Sequence, residues 1–250
     1  MNTIRSEFIK LRTIRSPWIL TIVAVGFPLL VAFLSLALMR VYDVNLDTLP
    51  AILIGTSMVS VLLVGVIGVL SITNDFNYNT IRPTFAATPN RNTVYLAKAA
   101  VVAAWAAAIQ GLILVVGWGL GALIADSRDI TISLSDVDTT TPAFIGLMFL
   151  AIGYGLIGVG LGAILRSQAG SISVLAVFPV VAEPLIVGLL NIANLEGVAR
   201  HLPFRSGFAM VQLDPKNDLD ISRISGAVGF WIFVIVIVAL GAVVLNRRDA

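Results

Sequence analysis

The chain has 250 residues, of which 58% are hydrophobic and 12% charged, with a formal net charge of +2 and a mean hydropathy of +0.98. That balance excludes an ordinary water-soluble domain, and the absence of cysteine excludes disulfides, thiolate chemistry and cysteine-based metal sites. The single histidine, His201, has no second histidine with which to share a metal, and no nucleophile, base and orienter set suggests an enzyme.

A bilayer core of about 30 Å needs about 20 apolar residues per helix. Six stretches reach that length, at about 18–39, 51–72, 94–124, 142–165, 170–191 and 226–245. They use most of the chain, so the sequence predicts an all-α, polytopic membrane protein forming a single domain over residues 1–250.

Residues 1–16 precede the first stretch. Ile4, Phe8, Leu11 and Ile14 recur at helical spacing while Arg5, Lys10, Arg12 and Arg15 fall largely elsewhere, which predicts an amphipathic helix lying at the interface with its cations on anionic lipid. A basic flank that only orients the first span is the plainer alternative. Basic residues continue to position 15 and no small-residue cleavage site follows the first apolar run, so nothing is expected to be cleaved. Pro17 and Trp18 mark a corner and an interfacial anchor, and Pro28 is expected to kink the first span.

With the N-terminus in the cytoplasm, most of the 16 lysines and arginines fall inside, including Arg82, Arg91, Lys98, Arg166, Arg247 and Arg248. The bias predicts that both termini are cytoplasmic. The basic pI then reflects topology, and no nucleic-acid partner is expected.

Residues 73–93 form a polar, basic interruption between the second and third spans. Thr80 is placed to cap a short helix with Pro83 in its first turn, and Thr88 followed by Pro89 repeats the signal at the start of the third span. The segment would present Ile81, Arg82, Phe85 and Arg91. A cytoplasmic loop that only satisfies topology is the alternative.

The run DFNYNTIRPTFAATPNR resembles the segment after the second span in ABC-2 type permeases, the membrane halves of ATP-driven exporters. Asp75, Phe76, Thr80, Ile81, Arg82, Ala86, Ala87, Thr88, Pro89 and Arg91 match that pattern, while aspartate replaces the usual glutamate and Asn79 the usual glycine. In that family a short helix here enters a groove on the ATP-binding subunit, and an acidic residue nearby helps fix the contact. The resemblance implies that Asp75, Thr80, Ile81, Arg82, Phe85 and Arg91 couple the chain to an ATPase dimer, with ATP and Mg held by that partner and no cofactor in this chain. It also implies a second permease chain, as a homodimer or related heterodimer, and a bacterial cytoplasmic membrane.

In the third span Gln110 stands among apolar neighbours; it is a candidate pathway or gate residue, and most simply is expected to bond another helix. The fourth span repeats glycine, with Gly158 and Gly162 forming a GxxxG pair for close helix packing. Only a few residues around Arg166 separate spans four and five, which predicts a tight hairpin.

Glu183 lies mid-span between Pro179 and Pro184, where an unpaired carboxylate is costly and two missing N–H groups break the helix. It is a candidate substrate contact, ion site or gate; the structural alternative is a protonated carboxyl bonded to a freed carbonyl or a neighbouring helix. Residues 192–225 form an extracellular connection, and Leu195, Val198 and Leu202 suggest a short helix dipping into the outer leaflet.

No glycine-rich phosphate loop precedes any of the three lysines, Lys10, Lys98 and Lys216, so a motor would have to be another polypeptide. The leading expectation is the permease subunit of an ABC exporter that moves a drug, lipid or peptide of hydrophobic or amphipathic character. An ion-coupled secondary transporter using Glu183 and a non-transporting scaffold or immunity protein are the alternatives.

Overall fold

The computed structural model describes residues 2–38, 48–78, 80, 83, 90–127, 140–213 and 221–247. Among these there is no strand, and the helices run in chain order α1 (Asn2–Thr13), α2 (Arg15–Leu38), α3 (Thr48–Asn77), α4 (Arg91–Asp126), α5 (Thr140–Leu165), α6 (Gln168–Val177), α7 (Glu183–Ile192), α8 (Glu196–Ala199), α9 (Pro203–Ala209) and α10 (Arg223–Arg247). Among the described residues, six stretches are long and apolar enough to cross a membrane: α2, α3, α4, α5, the run Gln168–Ile192 and α10. At 1.5 Å per residue α4 reaches about 54 Å, well beyond a bilayer core.

Glycine decides the centre of the bundle. α5 is 61% buried over its most apolar window, against 11% for the fifth span. A Cβ on Gly158 would overlap the carbonyl oxygen of Gly65, and one on Gly68 would overlap that of Gly155. The backbones of α3 and α5 therefore touch, as only small residues allow. Gly162 closes the same seam against Ile72. On another side of α5, Gly153 receives the Phe230 ring and Gly160 meets the backbone of Ile237, which seats α10. Tyr154, Phe204 and Phe230 fill the space between, with Tyr154 edge-on to Phe204 at 5.4 Å between ring centroids.

α2 runs through Pro28 without interruption and packs on α3 and α4. The α5–α6 turn is as tight as its length predicts. Arg166 takes a left-handed φ of 51°, and the Ser167 hydroxyl accepts the Gly170 N–H at 3.2 Å to cap α6. Beyond α6 the two prolines produce a π-helical segment, Phe178–Ala182, where wider turns absorb the lost N–H groups. α7 then stands away from the bundle, and Glu183 is its one buried residue.

Candidate functional site

The face that α1 turns to the bundle is not the one its apolar spacing suggests. Leu11 is buried, but Ile4, Phe8 and Ile14 are exposed, and the other buried side chain is Glu7, an acid on an otherwise basic helix. Burial of a carboxylate demands a partner. The partner is Lys98 of α4, 3% exposed, whose Nζ lies 2.5 Å from Glu7 Oε2 and 2.6 Å from Asp75 Oδ2 of α3. Lys98 also donates to the Ser71 carbonyl at 3.0 Å, so its three N–H bonds are all used.

Lys10 completes the cluster, 2.8 Å from Glu7 Oε1 and 3.6 Å from Asp75 Oδ2. Two acids and two bases give a neutral group. Burial acts to lower the Lys10 pKa, but the hydrogen bond to Glu7 and the charge of Asp75 outweigh it and hold the group above its usual 10.5. Its contribution is therefore full below that value and lost as pH rises through the raised one. The cleft beside the cluster measures about 30 Å³, room for a water molecule and not for a substrate. The cluster joins α1, α3 and α4.

Asp75 carries the connection onward. Its Oδ1 accepts the Thr80 hydroxyl at 2.9 Å, so the chain leaving α3 is tied back to the helix end. At the other end of the same segment, Arg91 Nη1 donates to the Leu245 carbonyl at 3.2 Å, Asn246 donates to Asn92 at 2.5 Å, and the buried Tyr95 hydroxyl donates to the Val238 carbonyl at 3.0 Å. The segment between α3 and α4 thus has one root in α1 and α4 and the other in α10. Ile81, Arg82 and Phe85 lie outside the described residues.

An aromatic group secures α1 and α2 to α4. Phe8 and Trp18 meet Trp105 edge-on at 5.9 and 5.7 Å, Trp105 donates to Thr21 at 3.0 Å, and Trp18 donates to the Arg12 carbonyl at 2.6 Å. No local pattern in the sequence singles out Glu7, and Lys98 reads there only as a topological charge. The available signal was that Glu7 is the sole acid before Asp43, three and four residues ahead of Lys10 and Leu11.

Glu183 is remote from this cluster. Its Oε2 accepts the Phe204 N–H at 2.9 Å and its Oε1 the Arg205 N–H at 2.5 Å, so it caps α9 as an acceptor on both oxygens. The contact is made to a neighbouring helix, because the first turn of α9 offers N–H donors that need acceptors. Pro179 and Pro184 join Glu183, Val187, Arg205 and Phe208 around a hollow of about 230 Å³.

Gln110 is fully buried, and neither end of its amide has a hydrogen-bond partner among the described residues. The expected bond to another helix is not seen among the described residues. Gly117 packs on Leu53 and Gly121 on Leu49, a register that sets Ser60 at the depth of Gln110. The Ser57 and Ser60 hydroxyls are likewise buried without a hydrogen-bond partner among the described residues.

The family model described as ABC-2 family transporter protein matches residues 3–178, a range that holds α1, the Lys98 cluster and the segment between α3 and α4. No curated protein matches the chain.

Proposed function

The chain belongs to the ABC-2 transporter family, and from that premise we propose that it is the permease subunit of an ATP-driven exporter, worked by a separate ATP-binding subunit dimer that docks on residues 73–93. One observation carries the proposal: both roots of that segment are fixed to spans, Asp75 through Lys98 and Glu7, and Arg91 through the end of α10. A push on the segment would reach α1, α3, α4 and α10 together. Anchoring at both roots is what a segment that passes force to the spans requires.

The substrate class that fits is hydrophobic or amphipathic, a drug, lipid or peptide, because the spans offer few charges along their length. A second permease chain completes the pathway. The fifth span, 11% buried, offers the apolar surface on which it would pack. The setting is a bacterial cytoplasmic membrane with both termini inside, as the lysine and arginine bias favours. An ion-coupled carrier working through Glu183 draws less support, since both carboxylate oxygens already accept backbone N–H groups.

The test is a pull-down of the tagged chain from detergent-solubilised membranes, with bound proteins identified and ATPase activity assayed. Recovery of a nucleotide-binding subunit that Arg82→Glu abolishes is the expected result. A preparation without ATPase, or an association indifferent to Arg82→Glu, overturns the proposal.

A further inference from the structure

α7 meets α9 through Glu183, and beside that contact lies the hollow of about 230 Å³. Proline, valine and phenylalanine form its walls, and its two charged lining residues are Glu183 and Arg205. Each has bonding capacity to spare. Glu183 is 3% exposed and each of its oxygens accepts one backbone N–H, but a carboxylate offers about four acceptor sites. Arg205 gives its backbone N–H to Glu183, whereas its side chain makes no hydrogen bond and no ion pair among the described residues, and its Nε is buried.

Unused donors and acceptors around a hollow of this size call for a polar occupant. Charge decides its kind. Carboxylate and guanidinium balance each other, so an anion at Arg205 alone would leave an excess negative charge, and a cation at Glu183 alone an excess positive one, each costly away from water. An occupant that carries both signs meets both residues and keeps the site neutral. The surroundings place such a group on a lipid. On the same span Val177, Val180 and Leu185 are 52%, 71% and 64% exposed, so a hydrocarbon chain attached to the occupant finds apolar surface alongside.

We propose that this hollow binds the headgroup of a zwitterionic phospholipid, phosphatidylethanolamine, with the phosphodiester on the Arg205 guanidinium and the ammonium on the remaining lone pairs of Glu183. Guanidinium matches phosphate geometry with two parallel donors, and a primary ammonium has three N–H groups to give a carboxylate. A choline headgroup carries the same charges without an N–H, and a glycerol headgroup lacks the cation. An apolar occupant would cover the walls and leave both charged groups without partners. The site is independent of the transport reading, because no residue of 73–93 lines it.

The experiment is native mass spectrometry of the solubilised protein, titrated with phosphatidylethanolamine, phosphatidylcholine and phosphatidylglycerol of identical acyl chains. The expected result is that phosphatidylethanolamine binds about tenfold more tightly than either of the others. Arg205→Gln keeps the backbone N–H that Glu183 accepts and removes the guanidinium, and is expected to weaken phosphatidylethanolamine about tenfold. Val187→Phe fills the hollow with both charged groups in place, and is expected to weaken it about fivefold or more. Equal binding of the three lipids, or phosphatidylethanolamine binding unchanged by either variant, overturns the proposal. Tighter binding of phosphatidylglycerol does so as well, since Arg205 would then act as a lone cation. Size-exclusion profiles before and after heating establish that each variant is folded.

Discussion

Lys98 and Glu7 are 91 positions apart in the chain, and their charged atoms lie 2.5 Å apart in the folded protein, at 3% and 5% side-chain exposure. The pair fixes α1 to the longest of the described spans and places a positive charge between two carboxylates. Removing one partner of a buried pair leaves an uncompensated charge and costs about 3–5 kcal/mol. Lys98→Met is therefore expected to lower the thermal midpoint sharply, as read by size-exclusion chromatography of heated, solubilised protein. Lys98→Met combined with Glu7→Gln restores neutrality and is expected to recover most of the loss. If the double variant is as unstable as the single one, the cluster acts through packing and not through charge.

The seam between α3 and α5 makes a separate prediction. Gly158→Ala puts a methyl group where the Gly65 carbonyl oxygen lies, and backbone cannot rotate aside as a side chain can. Overpacking costs about 1–3 kcal/mol, and contact with backbone belongs at the upper end. Gly111→Ala is the control, because nothing lies within 4 Å of the position its Cβ would take and alanine is the better helix former. The first variant is expected to lose stability and the second to hold or gain it, measured by the same thermal assay. Equal behaviour would mean that the two helices part easily at Gly158.

These two regions differ in how far the sequence revealed them. Hydropathy and length delineate six spans because each is a local property of about 20 residues. Gly158 and Gly162 are visible for a similar reason, since a four-residue spacing places both on one helix face. Glu7 is different. A lone acid on a basic helix reads as a solvated charge, and only the return of α4 past α1 brings Lys98 to it. Asp75 could be singled out from the family-like segment, but its partners come from α1 and α4, which no local pattern joins to α3. For Glu183 the sequence signals an expensive group between two prolines; what it caps is a short helix in the next connection, whose approach depends on the π-helical segment.

That cap can be tested directly. Glu183→Leu removes both acceptors from the Phe204 and Arg205 N–H groups, and charged hydrogen bonds of this kind contribute about 1.5–3 kcal/mol. Glu183→Gln keeps one acceptor oxygen and is expected to lose less. The thermal midpoint should fall in the order wild type, Glu183→Gln, Glu183→Leu, while ATPase activity of the assembled complex follows folded yield. Loss of activity in Glu183→Gln at full folded yield would point instead to a carboxylate that works during transport.

Gln110 reverses the sign. An amide buried at mid-depth without a hydrogen-bond partner among the described residues is destabilising by about 1–3 kcal/mol. Gln110→Leu keeps nearly the same volume and discards both unsatisfied groups, so the variant is expected to be more stable than wild type. For a chain of this size about 1 kcal/mol corresponds to roughly 2–4 °C in thermal midpoint. The bundle tolerates this residue where leucine would pack better, and Ser60 stands at the same depth on the facing helix. A turn of α4 about its axis at that depth would give the amide a partner that the present arrangement withholds. Gln110→Leu is therefore expected to raise the midpoint by several degrees and to lower the ATPase activity of the assembled complex. A lower midpoint would show that Gln110 is hydrogen-bonded in the resting protein, and a higher midpoint with undiminished ATPase activity would leave it without a part in the transport cycle.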